Sequence, residues 1–425
     1  MKTQRYLSAV AASVLAIVVF SGCSSGAAED EDGVVRLTFR QFDPADQVEG
    51  LVEAVDSWNA DHPDIQVDLE TVTPNNPQQF AREANSGSGP DVIHMALADV
   101  AFLAQPRVLL PLDDLMSSEP LDGADQLLAT EMTVIDDTTW GVPWTADTMA
   151  LVYRPDVLAD AGIDATPETW EDFQQVAEDI TTGSDGAVSG FCFAAGAQQP
   201  AAQWFAINYY LWNHDQYLIE NEGGQWQAGV SEDELAAAID YFDAFFESGT
   251  TPASMQALTD YADPAIATAL QDGTCAMTYM PPAAFRTVEE QVDAELATAP
   301  MPGGLVDGST HLGGRALGIN ANSAHPEEAW AFIEYLMSSD TFATYSQYPA
   351  SAQTLTELDV DPAEQGFVDQ LPHSVPFAKY IGAPITTASL QELVNQQFSA
   401  VYSGQSDSET AARAILDTIE QGLQG

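Results

Sequence analysis

Apolar residues in the first hundred positions switch between the alternating spacing of a strand and the three-to-four-residue spacing of a helix. Strands are predicted at residues 34–39, 65–69 and 91–95, and helices at 46–59 and 80–85. A strand–helix alternation of this kind is typical of an α/β lobe with a largely parallel sheet.

A second set of elements begins near residue 151. It comprises a helix with Trp170, Phe173, Val176 and Ile180 on one face, strands at 191–193, 275–280 and 317–319, a helix opened by a capping box at 231–234, and helices at 326–337 and 409–423. About 400 residues follow the N-terminal leader, which is more than one hydrophobic core usually supports. The pattern therefore predicts two lobes.

The leader ends at a cysteine. Lys2 and Arg5 precede an apolar stretch at 7–20 that has the length of a signal-peptide core. The sequence Phe20-Ser21-Gly22-Cys23 resembles the lipobox of bacterial lipoproteins, although Phe20 stands where an aliphatic residue is usual. This predicts a signal peptide at 1–22, lipidation of Cys23, a flexible tether at 23–33, and an exported chain anchored on the outer face of the cytoplasmic membrane. The alternative is an ordinary cleaved signal with an incidental Cys23.

The charge is strongly negative. The chain has 11 basic and 65 acidic residues, for a formal charge of −54. Binding to nucleic acid is excluded, because it needs patches of Lys and Arg, and adhesion to an anionic membrane surface is disfavoured for the same reason. The scattered carboxylates indicate a solvated acidic surface, and adaptation to a saline habitat is the alternative interpretation.

Motifs of common enzymes and cofactor sites are absent. The sequence contains no His-Glu-x-x-His, P-loop, Gly-x-Gly-x-x-Gly or Gly-x-Ser-x-Gly pattern and no Asp-x-Asp-x-Asp-Gly calcium loop, so no metal, cofactor or catalytic residue is predicted. Two carboxylates could cleave a glycosidic bond, which leaves a secreted glycoside-active enzyme as an alternative. In an oxidising exterior, the remaining Cys192 and Cys275 suggest a disulfide, and two buried thiols are the alternative.

Several motifs occur in an order that resembles the family 1 extracellular solute-binding proteins of ABC importers, which include maltose- and trehalose-binding proteins. These motifs are 58–67 (WNADHPDIQV), 89–93 (GPDVI), 109–112 (LLPL), 140–144 (WGVPW), 151–154 (LVYR), 161–163 (AGI), 169–173 (TWEDF), 273–277 (GTCAM), 312–315 (LGGR) and 329–333 (AWAFI). The resemblance extends from residue 34 to about residue 350.

This resemblance implies an α/β fold of two lobes, each a mixed sheet flanked by helices, joined by a hinge of several strands. Lobe 1 is expected at 34–143 and 316–376, and lobe 2 at 144–315 and 377–425. The chain should cross between lobes near 142–146, 311–316 and 376–381. The implied mechanism is hinge closure of a monomer around a carbohydrate, followed by docking on the permease subunits of an ABC importer.

Ligand-binding residues are expected at strand ends and near the hinge. Phe42 and Asp43 follow the first strand at its carboxyl end, where α/β sheets place ligands, and Tyr279 and Met280 end a strand of the second lobe. By the resemblance, Asp147 matches a position that often binds sugar hydroxyls. Aromatic rings suited to stacking on a sugar are Trp144, Trp204, Tyr209, Tyr210 and Trp212. For the four rings at 204–212, the alternative is that half of them belong to the core.

Two departures from the family pattern make a maltose- or trehalose-like ligand doubtful. Ala96 and Asp99 stand where such binders tend to have Asp and Trp, and Arg315 replaces the Trp of a Gly-Gly-Trp motif. Arg315 is expected either to grip the ligand with its planar fork or to pair with a nearby carboxylate. A receptor of the same fold that takes a non-sugar or acidic-sugar solute, or that only signals, remains a further alternative.

Overall fold

The structure is a computed structural model that describes residues 33–43, 48–105, 108–198, 203–304, 310–380 and 382–424. The expected signal peptide, Cys23 and all of the tether except Gly33 lie outside these residues. Across the described ranges, every helix is too short or too polar to span a bilayer.

The strands are β1 (Val35–Gln41), β2 (Ile65–Thr71), β3 (Val92–Ala96), β4 (Val134–Ile135), β5 (Thr138–Thr139), β6 (Val142–Asp147), β7 (Ala150–Tyr153), β8 (Ser189–Phe191), β9 (Tyr217–Glu222), β10 (Gln225–Gly229), β11 (Cys275–Met280), β12 (Ala297–Ala299), β13 (His311–Ile319), β14 (Tyr348–Pro349) and β15 (Val375–Pro376). The helices are α1 (Glu49–Asp61), α2 (Pro77–Asn85), α3 (Val100–Ala104), α4 (Asp113–Ser118), α5 (Pro155–Asp160), α6 (Trp170–Gly183), α7 (Gln203–Asn213), α8 (Glu232–Glu247), α9 (Pro264–Gln271), α10 (Pro282–Glu289), α11 (Pro326–Leu336), α12 (Ser339–Phe342), α13 (Ala352–Glu357), α14 (Gln365–Gln370), α15 (Thr387–Tyr402) and α16 (Ser408–Leu423).

Lobe 1 is built on a seven-stranded sheet in the order β14-β6-β13-β3-β1-β2, with β15 paired to β13. β1 runs parallel to β2 and β3, as the sequence pattern predicts. β13 runs antiparallel to β3 and β6, so the sheet is mixed. Apolar side chains of α1 and α11, such as Trp58 and Trp330, pack with Phe39 and Leu317 of the sheet in one core.

Lobe 2 contains a four-stranded sheet in the order β12-β7-β11-β8. Its core includes the apolar faces of α6, α7, α8 and α15. Cys192, just after β8, and Cys275, at the start of β11, form a disulfide with their Cα atoms 6.2 Å apart. Because β8 and β11 pair in parallel, the bond lies across two neighbouring strands of one sheet.

The chain passes from the first sheet to the second between β6 and β7, and returns between β12 and β13. The predicted lobe limits at 143/144 and 315/316 therefore fall inside β6 and β13. Thr298 of β12 donates to the Ala363 carbonyl at 2.6 Å, and Gln370 accepts from the Met301 amide at 2.7 Å. These contacts favour a third crossing just before residue 362, earlier than the predicted 376–381.

Candidate functional site

The carboxyl end of β1 places a buried carboxylate at the junction of the lobes. Gln41, the last residue of β1, accepts from the Asp43 amide at 2.5 Å and so fixes the turn after the strand. Asp43 is 3% exposed, and its Oδ2 accepts from the Tyr345 hydroxyl at 2.5 Å. Burial and the Asp43 charge both raise the pKa of Tyr345, which keeps this hydroxyl protonated as the donor.

Two glycines allow β13 to approach the end of β6 closely. A Cβ atom at Gly313 would collide with Asp147 Oδ1, and one at Gly314 would collide with the Thr145 carbonyl. Gly314 also has a φ of +131°, which side chains disfavour. The pairing of β13 with β6 shifts register directly after Arg315. A register shift of this kind changes the direction of the neighbouring side chain. Here it occurs at Arg315, whose side chain lies over the strand ends.

Arg315 lies between two carboxylates and above an aromatic ring. Its Nε is 3.5 Å from Asp43 Oδ1, and its Nη1 is 3.8 Å from Asp147 Oδ2. Its Cζ lies 4.9 Å from the centre of the Phe42 ring, within the range of a cation–π contact. The guanidinium is thus held by charge on two sides and by a ring on a third.

A buried histidine lies under the other face of this arrangement. His94 of β3 stacks on Phe42 with ring centres 4.6 Å apart and meets the edge of Trp144 at 5.2 Å. Neither ring nitrogen has a hydrogen-bond partner among the described residues. Burial, and then the charge of Arg315, hold the pKa of His94 well below its usual value, so the ring is neutral near pH 7.

Asp147 connects Arg315 to the second lobe. Its Oδ1 is 3.3 Å from His311 Nε2, and His311 Nδ1 is 2.6 Å from the Tyr209 hydroxyl of α7. Burial alone would raise the pKa of Asp147, but the hydrogen bond from His311 and the charges of His311 and Arg315 outweigh it and lower that pKa. A continuous series of polar contacts therefore connects Tyr209 in lobe 2 to Asp43 in lobe 1 through His311, Asp147 and Arg315. These five side chains are called the polar chain.

Lobe 2 contributes aromatic rings and hydroxyls to this junction. The Phe205 ring lies 4.8 Å from His311 and 6.5 Å from Tyr261, and Tyr261 lies 6.4 Å from Tyr279. The Tyr261 hydroxyl is buried and has no hydrogen-bond partner within the described ranges. Burial raises the pKa of Tyr209, and the nearby Tyr261 and Tyr279 raise it further, so these hydroxyls stay neutral.

A small cavity of about 80 Å³ opens between the lobes beside the polar chain. Asp147, Arg315 and Tyr348 line one side, and Pro282 and Arg286 of α10 line the other. Arg286 donates to both carboxylate oxygens of Glu364 at 2.7 and 2.6 Å. The lining of this gap therefore includes the Asp147 carboxylate, the Arg286 and Arg315 guanidinium groups and the Tyr348 ring, and the charged groups can hydrogen-bond to a polar solute.

A model of the bacterial extracellular solute-binding protein family matches residues 43–341. The chain belongs to this family.

Individual relatives are distant. A binding protein of Brucella abortus (strain 2308) is 22% identical over 329 residues, which is 76% of each chain. The diacetylchitobiose binding protein DasA of Streptomyces coelicolor is 22% identical over 263 residues, 61% of this chain and 59% of DasA. Among solved structures, the GacH receptor of Streptomyces glaucescens GLA.O superposes with a TM-score of 0.70 at 22% identity, covering 92% of this chain and 99% of GacH. That likeness shows the two-lobe α/β fold.

Six of the predicted site residues lie in or beside the polar chain of this solute-binding protein. Asp43, Asp147, Tyr209 and Arg315 belong to it, and Phe42 lies beside it, through the contacts above. Asp99 is the sixth, because it lies close enough for the Arg315 charge to act on it. That charge and a 2.5 Å hydrogen bond from Asn75 both lower the pKa of Asp99, but burial outweighs them and the pKa is raised.

The three predicted tryptophans lie in the core instead. Trp144 is fully buried, stacks on Tyr345 at 5.0 Å and donates to the Leu336 carbonyl at 2.8 Å. Trp204 and Trp212 share a face of α7, as their spacing predicts, but that face packs on Phe377 at 5.7 and 5.0 Å. These contacts argue against stacking roles for the three rings.

Three other predicted side chains, Met280, Tyr279 and Tyr210, pack against other residues of lobe 2. Met280 is fully buried in the lobe 2 core. Tyr279 packs beside Phe191 at 5.8 Å, and Tyr210 stacks against Tyr241 at 4.7 Å. Of these, Tyr279 comes nearest to the junction, through its neighbour Tyr261.

Among the residues of the junction that were not predicted from the sequence are His94, Tyr261, His311 and Tyr345. His311 immediately precedes the Leu312–Arg315 motif, and this position beside a hinge motif was the one available signal. The other three come from a strand interior, a loop and the segment after α12, where local pattern gives no indication of function.

Proposed function

We propose that this chain is an exported receptor that captures a neutral mono- or oligosaccharide between its lobes and delivers it to the permease subunits of an ABC importer. The observation that carries the proposal is the junction cluster, in which Arg315 is paired with Asp43 and Asp147 beside the Phe42 ring. The names of two similar proteins support the choice of a carbohydrate: DasA is a diacetylchitobiose binding protein, and GacH was solved with acarbose.

The chemistry of the junction suits a sugar. Ionised carboxylates and a guanidinium make strong hydrogen bonds to hydroxyl groups, and the apolar face of a sugar ring stacks on aromatic side chains. Asp147 and Arg315 supply the first kind of contact, and the Phe205 ring supplies the second. The buried Tyr261 hydroxyl, which has no hydrogen-bond partner among the described residues, adds a group that a ligand can satisfy.

The local charge favours a neutral sugar over an acidic one. Arg315 is already flanked by two carboxylates, and Asp99 adds a third acidic group within electrostatic reach. A carboxylate on the ligand would gain Arg315 but would face Asp43 and Asp147 at close range. Because like charges in a partly buried site repel strongly, an acidic sugar is expected to bind more weakly than its neutral counterpart.

Capture would proceed by closure of the hinge. Phe42 and Asp43 belong to lobe 1, whereas Phe205, Tyr209 and Tyr261 belong to lobe 2. A ligand that touches both groups gains its full set of contacts only when the lobes are together, so binding shifts the population toward the closed form. The closed form would then dock on the importer.

Anchoring would rest on Cys23. One acyl chain binds a membrane only marginally, so stable anchoring needs more than one. A Cys23→Ser chain should be released from the membrane fraction or remain unprocessed. Retention of Cys23→Ser on the membrane, with processing at the same site, would count against the anchor and leave the binding function untouched.

The binding function is tested by a thermal-shift and calorimetry screen with neutral mono- and oligosaccharides, the matching uronic acids, and peptides. A bound ligand raises the melting temperature by mass action. Asp147→Asn should weaken saccharide binding by about 2 kcal/mol, since it removes a charged hydrogen-bond acceptor. The matched control is Asp68→Asn, because Asp68 is an exposed carboxylate of β2 away from the junction.

Stabilisation by a uronic acid or a peptide, with no response to any neutral saccharide, would overturn the proposed ligand class. Appearance of a cleaved product during the incubation would instead identify an enzyme. Equal loss of binding in Asp147→Asn and Asp68→Asn would show that the junction cluster is not the site.

A further inference from the structure

Three hydroxyl groups from distant parts of the chain meet in one ring at the hinge. Thr148 Oγ1 lies 2.6 Å from Thr310 Oγ1 and 2.8 Å from Ser374 Oγ, and the last two atoms lie 2.9 Å apart. Both threonines are fully buried, and Ser374 is half-buried. The set of Thr148, Thr310 and Ser374 is called the hydroxyl triad below.

Each member of the triad lies on a segment that passes between the lobes or beside such a segment. Thr148 lies between β6 of the first sheet and β7 of the second, and Thr310 directly precedes β13. Ser374 directly precedes β15, which pairs with the start of β13, and the Val375 amide donates to the Thr310 carbonyl at 2.7 Å. The triad therefore joins both strand crossings to the segment that immediately precedes β15.

The triad is adjacent in sequence to the Asp147–His311 contact at the junction of the lobes. Thr148 follows Asp147, and Thr310 precedes His311, while Asp147 and His311 face each other at 3.3 Å. Holding the two threonine hydroxyls 2.6 Å apart therefore fixes the separation of the backbones that carry this pair. A change in the angle between the crossings would move Asp147 relative to His311.

Hydroxyl groups suit a pivot better than apolar side chains would. Ser374 Oγ also lies 3.1 Å from the Gln370 carbonyl. The three hydroxyl protons are therefore shared among four contacts, three within the triad and one to this carbonyl. Such protons can be redistributed among the contacts by rotation of the hydroxyls, without breaking the ring. Interdigitated apolar side chains resist a change of angle, because packed cores shift between discrete arrangements.

We infer that the hydroxyl triad is the pivot of lobe closure and positions Asp147 and His311 for the ligand. The binding part of this inference rests on the proposed function, whereas the pivot part does not. Thr148, Thr310 and Ser374 act through their neighbours and are positioning residues.

The experiment measures the distribution of inter-lobe distances in the ligand-free chain by pulsed electron paramagnetic resonance. Spin labels are attached at Asp68→Cys in lobe 1 and Gln225→Cys in lobe 2, two exposed positions, in a chain that also carries Cys23→Ser. Thr148→Val removes a hydroxyl with little change of volume, and Ser374→Ala does so at a half-buried position that tolerates substitution. The control is Thr251→Val, since Thr251 is a buried threonine that donates to the Phe191 carbonyl far from the hinge.

Thr148→Val and Ser374→Ala should each broaden the distance distribution without ligand, and Thr148→Ser should restore its width. Thr251→Val should lower the melting temperature and leave the distribution unchanged. Where a neutral saccharide binds, Thr148→Val should weaken binding five- to thirtyfold, and Thr148→Ser should stay within twofold of the parent chain.

An unchanged distribution in folded Thr148→Val and Ser374→Ala would overturn the pivot, even if saccharide binding is intact. Broadening in Thr251→Val equal to that in Thr148→Val would also overturn it, because the effect would then follow from general loss of stability. Failure of every saccharide to bind would contradict the proposed function alone, since the distance measurement needs no ligand.

Discussion

The two sides of the junction present different chemistry. The lobe 1 and hinge side carries formal charges, with Arg315 held between Asp43 and Asp147. The lobe 2 side carries rings and neutral hydroxyls from Phe205, Tyr209 and Tyr261, whose phenols burial keeps protonated. His311 joins the two sides through its two ring nitrogens.

This difference in chemistry indicates that the two sides make different contributions to ligand binding. A charged cluster that is already paired is rigid and sets the orientation of a ligand, because each charge is fixed by its neighbours. Aromatic side chains contribute apolar area and shape at a small cost in conformational entropy, because a ring has few rotatable bonds. Lobe 1 is therefore expected to determine which polar groups of a ligand are recognised. Lobe 2 is expected to supply most of the apolar area that is buried on closure.

The lobes also differ in covalent reinforcement, and removing it should have the largest effect on stability. The disulfide between Cys192 and Cys275 joins positions 83 residues apart within lobe 2. A Cys192→Ala/Cys275→Ala chain should lose about 4 kcal/mol of unfolding free energy, because the unfolded state regains the freedom of that loop. Scanning calorimetry measures the loss, and hydrogen exchange should accelerate in β8 and β11 more than in β1 and β2.

The control for this change is Cys23→Ser, which leaves both lobes intact. Mass spectrometry of the unreduced parent chain should show the two cysteines linked. Labelling of both thiols in unfolded, unreduced protein would contradict the disulfide.

The charged side is tested by Arg315→Ala. The change should weaken ligand binding by about 2–5 kcal/mol, because it removes the fork and leaves Asp43 buried without its cation. Arg315→Lys should restore binding poorly, since an ammonium group cannot match the planar fork. Calorimetric titration gives the affinity, and unfolding of the ligand-free chain separates binding from folding. An affinity equal to that of the parent chain would assign Arg315 a purely structural pairing with Asp43 and Asp147.

The position of Asp43 was predicted from a strand end, whereas Asp147 and Arg315 were predicted from the resemblance to the family. Phe42 and Asp43 follow an alternating apolar run, and the carboxyl ends of parallel strands meet at one edge of a sheet. The Gly313-Gly314 pair entered the prediction only as part of a family motif, and the structure shows that these glycines let β13 approach the end of β6. Much of the parallel half of the first sheet followed from the same pattern.

The burial of the aromatic residues could not be predicted in the same way. Almost every residue of β6 and α7 is buried, so neither element shows the polar face that would reveal which side chains face the core. Trp144 and Trp204 therefore gave no signal that distinguishes packing from ligand contact. The helix α15 and the two-residue strands β14 and β15 were missed, the strands because they are too short for any periodicity.

The aromatic side is tested by a matched pair of tyrosine substitutions. Tyr209→Phe removes the partner of His311 Nδ1 and should cost about 1–2 kcal/mol of unfolding free energy, because a buried nitrogen loses its hydrogen bond. Tyr261→Phe removes a hydroxyl that has no partner among the described residues, so the unfolding free energy of the ligand-free chain should change by about 0.5 kcal/mol or less.

Ligand binding should respond in the opposite order in these two variants. Tyr261→Phe should weaken saccharide affinity if the ligand supplies the missing partner of the hydroxyl. Denaturant unfolding and calorimetric titration of the same samples give both quantities. Equal loss of stability in both variants would show that Tyr261 is already satisfied without ligand.

A smaller loss of stability than that of Tyr209→Phe is expected on acidification, through the buried His94 on the lobe 1 side. Burial and the Arg315 charge hold the pKa of His94 well below the value of about 6.5 expected in the unfolded chain. Between these two pKa values the unfolded chain binds more protons at His94 than the folded chain does. The contribution of His94 to the unfolding free energy is therefore complete above about pH 6.5 and is lost as the pH falls. From pH 6.5 to 5.5 this group should cost at most about 1 kcal/mol of unfolding free energy. His94→Leu should lose that part of the pH slope, whereas His373→Gln, at an exposed position, should keep it. Denaturant unfolding across this range measures the slope, and an unchanged slope in His94→Leu would mean that His94 binds its proton equally well in the folded and unfolded chains.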